Sequence, residues 1–272
     1  MRYRSILMLV LSCSCLATEG CRRSAGPLSV AATNAMLECA VRDLLGEAAP
    51  VLRLAEPGMC PGHFDIRPSQ VAALRRCRLM LRFDFQQSLD RKLAGAIDDG
   101  LRIVEIRVPG GLCEPRSYVA ACRQTADALV AVGLLDRARA DERLEQIARR
   151  MERREAACRH RVRGLTGVPV LASVHQEAFC QWLGLDVVAT FSAADTAGVG
   201  QVDEALRKGE GAGVTLVIAN LPEGRKLADA LAERLGATVV VFGNFPALDN
   251  GHARFDDLLD ANVTALVEAD GR

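Results

Sequence analysis

The sequence predicts an α/β fold of two similar lobes with mostly parallel sheets, joined by one long helix and separated by a cleft. Short apolar segments alternate with helical patterns in the first half of the chain, and the same alternation restarts in the second half. An uninterrupted helical pattern separates the two halves. The predicted organisation is a signal peptide over residues 1–20, a lobe over 21–137, a linking helix over 138–165 and a second lobe over 166–272.

The linking helix is predicted from residues 138–163, which contain no Gly or Pro. At a rise of 1.5 Å per residue it would span about 39 Å, so neither lobe alone would bury it. Asp136 or Asp141 would cap its start, and Gly164 would end it. The alternative is a solvated surface helix of a single domain. Its apolar positions recur at helical spacing: Leu144, Ile147, Met151, Cys158 and Val162.

The elements of both lobes follow from short apolar runs bounded by Gly, Pro and Asn. In the first lobe, strands are predicted at 28–32, 51–55, 79–83 and 101–108, with helices at 34–45, from 68, at 87–97 and at 117–132. In the second lobe, strands are predicted at 168–174, 186–191, 215–219 and 238–242, with helices ending at 183 and spanning 202–208, 225–235 and 256–268.

The N-terminus has the pattern of an export signal. Arg2 and Arg4 precede an apolar run that is too short to span a bilayer. Gly20 directly before Cys21 resembles the lipobox of bacterial lipoproteins, which predicts a lipid anchor on Cys21, although Cys13 or Cys15 could be the lipidated residue instead. The expected location is the periplasm or cell envelope. With 34 basic and 34 acidic residues, the charge balance gives no argument for a nucleic-acid partner.

Two of the cysteines after Cys21 stand apart from the others. Cys60 and Cys113 lie in Gly/Pro-rich loops, where function tends to concentrate, whereas Cys122, Cys158 and Cys180 fall on helical patterns as small core residues. In an oxidising compartment Cys60 and Cys113 could instead form a disulfide.

Several phrases resemble the cluster A-I solute-binding proteins, which serve zinc and manganese ABC importers. The family's first ligand lies in Pro-His-x-Phe-Glu-Pro-x-Pro, and residues 61–69 resemble it with His63. Its third ligand lies in Ser-His-Asp-Ala-Phe, and residues 173–179 resemble it with His175. Residues 225–231 and 236–241 resemble the last helix and strand. The resemblance implies a metal site between the lobes that contains His63 and His175.

The chain departs from the family at the two remaining ligands. The second histidine of the family falls on Gly110, in Gly110-Gly-Leu-Cys-Glu-Pro115, and the acidic ligand falls on Asn244 or Asn220. The hypothesis for the ligand set is Cys60, His63, Cys113 and His175, with Glu114 as a substitute donor. This set suits zinc, and its two thiolates would also suit copper. Manganese is the family's other metal. The alternatives are a disulfide, or histidines without a metal. His160 and His252 are expected to be solvated.

The predicted function is that of an exported, lipid-anchored and monomeric solute-binding protein. It would capture a transition metal ion, most simply zinc, and deliver it to an ABC transporter permease. The first alternative is a family member that binds no metal and holds another ligand or a protein partner. A thiol-dependent or nucleotide-using α/β enzyme is disfavoured, because G-x-G-x-x-G, the P-loop pattern, C-x-x-C and a serine nucleophile elbow are all missing from the sequence. The chain is therefore not expected to be an enzyme.

Overall fold

Four short apolar strands near the N-terminus form a fully parallel sheet. The computed structural model describes residues 29–56, 65–94, 100–249 and 252–271. The strand order is β2-β1-β3-β4, and helices cover the sheet. Asn34 caps the first helix by accepting a hydrogen bond from Leu37 N at 3.1 Å. The elements are β1 (Val30–Ala32), α1 (Ala35–Leu45), β2 (Val51–Arg53), α2 (Pro68–Leu74), β3 (Leu79–Phe83), α3 (Ser88–Leu93), β4 (Arg102–Ile106) and α4 (Pro115–Ala131).

The second half repeats this arrangement. Its four parallel strands have the order β6-β5-β7-β8, which is the order of the first sheet, and a two-stranded antiparallel hairpin follows. In both sheets the order reverses between the first and third strands, which is where open α/β sheets usually bind ligands. The elements are β5 (Pro169–Ser173), α6 (Glu177–Leu183), β6 (Asp186–Phe191), α7 (Val199–Ala212), β7 (Leu216–Asn220), α8 (Lys226–Leu235), β8 (Thr238–Phe242), β9 (Leu248–Asp249), β10 (His252–Ala253) and α9 (Phe255–Asp270).

The long helix α5 (Arg137–Arg161) joins the two halves. Asp136 caps it by accepting a hydrogen bond from Arg139 N at 2.8 Å. The helix packs against α1 and α4 on one side and against α9 on the other. A large hydrophobic cluster spans both halves of the chain and the helix between them, from Leu81 of β3 through Met151 of α5 to Ile218 of β7. The predicted two-lobe α/β fold is confirmed.

Most predicted elements recur with shifts of a few residues at their ends. The strands predicted at 79–83, 186–191 and 238–242 have those bounds in the structure. The helix predicted at 202–208 is longer, since α7 continues through two glycines. One of them is closely packed, because a Cβ on Gly209 would lie 3.0 Å from Leu235 Cδ1 of α8. The hairpin of β9 and β10 was not predicted.

The N-terminal predictions lie outside the described residues, as do Cys60 and His63. The signal segment over 1–20 and the lipid anchor on Cys21 therefore stay predictions. Across the parts of the chain that the structure describes, every helix is too short or too polar to cross a bilayer.

An arginine of α5 forms ion pairs with carboxylates of both lobes. Arg150 donates from Nη1 to Asp43 Oδ1 of α1 at 3.1 Å and from Nη2 to Asp43 Oδ2, while its Nε lies 3.2 Å from Asp256 Oδ2 of α9. Tyr118 of α4 donates to Asp43 Oδ2 at 2.6 Å, and Arg154 donates to Asp256 Oδ1 at 2.9 Å. Both carboxylates are largely buried, so this network fixes the lobes to the helix between them.

Replacing Arg150 with Met should lower the free energy of unfolding by about 3 kcal/mol, because Asp43 loses its charge partner and Asp256 loses one of two. Urea denaturation followed by circular dichroism measures this change. Arg149→Met is the matched control, since among the described residues the neighbouring Arg149 pairs with exposed Glu145 of its own helix. The control should lose less than about 1 kcal/mol. Equal losses in the two variants would contradict a role for Arg150 in joining the lobes.

Candidate functional site

An outer pair of ligand-type side chains lies where two strands of the second sheet end. His175 follows β5, and its Nε2 lies 3.4 Å from Glu223 Oε1 in the turn after β7. The His175 side chain is 59% exposed, so a solute can reach it. Ser173 fixes the carboxylate by donating to Glu223 Oε2 at 2.5 Å, and its hydroxyl accepts from His175 N at 3.3 Å. A neutral imidazole beside a carboxylate is a pair that zinc accepts.

Beneath this outer pair lies a buried cluster of amides. Gln176, the residue after His175, is fully buried at the start of α6. Its Nε2 donates to Asn244 Oδ1 at 2.8 Å and to Asn220 Oδ1 at 3.1 Å. Asn220 ends β7, and Asn244 follows β8. Gln176 Oε1 has no hydrogen-bond partner among the described residues.

Cys113 reaches this cluster from the loop between β4 and α4 of the first lobe. Its thiol donates to Gly243 O at 3.1 Å and lies 3.7 Å from Asn244 Oδ1. Asn262 of α9 donates from Nδ2 to Gly243 O at 3.0 Å and lies 3.9 Å from the sulfur. Burial raises the pKa of the Cys113 thiol, and the charge of Glu114 raises it further. The thiol therefore keeps its proton at neutral pH.

Glu114 organises the loop that carries Cys113. It is almost fully buried, and it accepts hydrogen bonds from Gly111 N at 2.6 Å and from Arg116 Nε at 2.5 Å. Its carboxylate fills the space beside Gly110, where an added Cβ would lie 2.6 Å from Glu114 Oε1. A side chain at the family's second histidine position would therefore displace the Glu114 carboxylate from its place in this loop.

The structure brings some of the predicted site residues together and separates others. Cys113 and Glu114 lie in one buried loop, and each is engaged in hydrogen bonds. His175 instead lies at the exposed rim. Among residues 29–56, 65–94, 100–249 and 252–271, no three His, Cys, Asp or Glu side chains are grouped closely enough to hold a metal ion. With Cys60 and His63 outside these ranges, the predicted five-residue set stays a prediction.

The disulfide between Cys60 and Cys113 is the alternative to metal ligation; Cys113 is a free thiol in the structure, and Cys60 lies outside the described residues. All six described cysteines are free and buried: Cys39, Cys77, Cys113, Cys122, Cys158 and Cys180. The interpretation of Cys122, Cys158 and Cys180 as small core residues is confirmed.

Two residues of this region were missed in the sequence. Read without a gap, His175-Gln-Glu-Ala-Phe179 matches the family phrase Ser-His-Asp-Ala-Phe and puts Gln176, rather than His175, on the family's histidine. This ungapped alignment is the feature of the sequence that points to Gln176 as a residue of the site. Glu223 stands three residues beyond Asn220, one of the two positions where the resemblance places the acidic ligand. A carboxylate in a turn directly after a strand is the feature of the sequence that points to Glu223.

Several solved structures have the same fold as this chain. The fold matches a Mn-bound periplasmic metal binding protein from Candidatus Liberibacter asiaticus with a TM-score of 0.76 and 11% identity, covering 89% of this chain and 98% of that one. The Cd-bound form of a periplasmic metal binding protein from the same organism gives the same values. A crystal structure of ZnuA matches with a TM-score of 0.73 and 15% identity, covering 91% of this chain and 100% of that one.

Comparison with curated proteins gives no match. The model of the family described as zinc-uptake complex component A, periplasmic, matches residues 30–269, which is nearly all of the described chain. This is a family of metal-binding transport proteins rather than of enzymes, in agreement with the resemblance drawn from the sequence. The chain belongs to the zinc-uptake complex component A family.

Proposed function

We propose that this protein is the exported solute-binding component of an ABC importer, and that it captures zinc at the rim of the interlobe cleft and delivers it to a permease. The observation that carries this proposal is the pair formed by exposed His175 and the partly buried Glu223, whose Nε2 and Oε1 atoms are 3.4 Å apart. The pair lies at the carboxyl ends of β5 and β7, where the second sheet reverses its strand order.

The remaining ligands would come from the loop after β2 in the first lobe. His63 and Cys60 are three residues apart there, a spacing that lets one loop offer both side chains to a single ion. Cys113 and Glu114 could join them only by leaving their present hydrogen bonds, because both are buried. The site we propose is therefore His63 and Cys60 from one lobe with His175 and Glu223 from the other.

Zinc is the metal that best suits this donor set. Imidazole, thiolate and carboxylate ligands in a tetrahedron are typical of zinc, whereas manganese favours oxygen ligands and copper(I) favours several soft sulfur ligands. The solved structures with this fold include Mn-bound and Cd-bound proteins, which supports a transition metal as the solute class. The family description supports zinc.

A second candidate function is that of a family member that holds no metal. The buried amides favour it, since Gln176, Asn220 and Asn244 occupy positions where the family resemblance places a histidine and an acidic ligand. Neutral amides do not balance the charge of a divalent ion. In that case the outer pair would bind a different polar solute or a partner protein.

Purified wild-type protein should contain about one zinc ion per chain, and both His175→Ala and Glu223→Gln should lose most of it, because each removes one of four ligands. Elemental analysis by mass spectrometry measures the stoichiometry. His160→Ala is the control, since His160 is exposed at the end of α5 and should leave the zinc content unchanged. Lowering the pH should release zinc, because protons compete with the ion for imidazole and thiolate ligands.

The zinc content of His63→Ala and Cys60→Ser tests the contribution of the first lobe. Both should fall with His175→Ala if the ion is shared between lobes. If the zinc content is unchanged in His63→Ala, Cys60→Ser, His175→Ala and Glu223→Gln, these residues are not the zinc ligands. A wild-type protein that takes up no transition metal would favour the second candidate function.

Gly110→Ala should lower the free energy of unfolding by about 1–3 kcal/mol, because the new Cβ would overlap the Glu114 carboxylate and break its bonds within the loop. Chemical denaturation measures the change. This cost would explain why the first lobe must offer its ligands from another loop.

The matched control is Gly164→Ala. A Cβ on Gly164 meets nothing within 4 Å, and the residue has an ordinary backbone conformation, so the change should be less than about 1 kcal/mol in either direction. A Gly110→Ala protein as stable as this control would show that the loop has room for a side chain.

A further inference from the structure

The buried cluster beneath the outer pair is also the place where the two lobes touch at the cleft. Cys113 belongs to the first lobe, and its partner Gly243 O belongs to the second. The same loop approaches α6 closely, since a Cβ on Gly111 would lie 3.0 Å from Ala178 Cβ and 3.5 Å from Phe179 N. The 110–114 loop is therefore inserted against the second lobe.

The second lobe presents a prepared surface to this loop. Asn262 holds residue 243 from both sides, because Gly243 N donates to Asn262 Oδ1 at 2.8 Å and Asn262 Nδ2 donates to Gly243 O at 3.0 Å. Gln176 holds Asn244 and Asn220 together. Gly243 O, the acceptor of the Cys113 thiol, is thus held in place by bonds within the second lobe. Less conformational entropy is therefore lost when the 110–114 loop packs against it.

Every group in this contact is neutral. The donors are an amide of Gln176, an amide of Asn262 and the thiol of Cys113, and each has an acceptor within the cluster. An interface whose donors are neutral and paired needs no cation to balance a charge. In this chain, hydrogen bonds therefore connect the two lobes at the depth where the family resemblance places metal ligands.

We propose that Cys113 of the first lobe, bonded to Gly243 O on a surface that Gln176, Asn220, Asn244 and Asn262 of the second lobe hold in place, forms a latch that joins the two lobes without a metal ion. Lobe closure is then independent of zinc, and the outer pair binds its solute on an already closed protein. Gln176 Oε1, which lacks a partner among the described residues, gains water when the lobes separate. That gain offsets part of the loss of the other hydrogen bonds and keeps the latch reversible.

The rate at which an alkylating reagent modifies Cys113 in the intact protein reports lobe opening, because the thiol is buried between the lobes. Peptide mapping by mass spectrometry separates Cys113 from the other cysteines. With a chelator present, Cys113 should react at least about 100-fold more slowly than in urea-unfolded protein, since only opened molecules expose it. Adding zinc should change this rate by less than about twofold.

Gln176→Met tests the latch itself, because Met has a similar shape but cannot donate to Asn244 and Asn220. Cys113 should then react at least about tenfold faster, since Asn244, which lies against the thiol, loses the hydrogen bond that holds it in place. Cys122, buried in the first lobe, should keep its rate. Gln181→Met is the matched control, since Gln181 is an exposed residue of the same helix whose amide donates to Glu177; it should leave Cys113 protected.

Rapid modification of Cys113 in chelator, with protection only after zinc is added, would overturn the proposal, because metal would then close the lobes. Equal rates for Gln176→Met and Gln181→Met would also overturn it. If Gln176→Met does not fold, the wild-type comparison with and without zinc decides alone. The zinc stoichiometry is measured separately, so failure of the latch and failure of the proposed metal site are distinguishable.

Discussion

The ion pairs around Arg150 are the constraint on which the two-lobe arrangement depends. One guanidinium lies between Asp43 of the first lobe and Asp256 of the second, and its own helix is packed against both. Because a buried carboxylate without a partner costs several kcal/mol, neither lobe can move away from α5 without breaking this balance. Relative motion of the lobes is therefore confined to the cleft side, and a wide hinge opening is disfavoured.

The cleft side is divided into an exposed level and a buried level. His175 and Glu223 are accessible at the rim, whereas Gln176 and Cys113 are closed off below them. Adjacent residues, His175 and Gln176, thus belong to different levels, because the chain turns from β5 into α6 between them. In the proposed function, this separation would let the protein keep a neutral contact between its lobes while His175 and Glu223 bind the solute.

The fold was predictable from the sequence, and the site was predictable only in part. Alternating strands and helices leave a strong periodic signal, and the Gly- and Pro-free run of α5 needs no tertiary information. The site depends on which of two neighbouring residues faces inward, and that choice between His175 and Gln176 rests on a single position of register. Glu223 escaped notice because it approaches His175 from a strand more than forty residues away. Short two-residue strands such as β9 carry too little pattern to be recognised.

The free thiols bear on how the chain must mature. The family's compartment is periplasmic, and an oxidising compartment converts accessible cysteines to disulfides. In the folded protein burial protects all six described thiols, and it raises the pKa of Cys39, Cys113 and Cys180, so little reactive thiolate forms. The unfolded chain has neither protection. With the proposed export, the chain would have to fold before its thiols oxidise, and non-native disulfides would be the expected fault in its production.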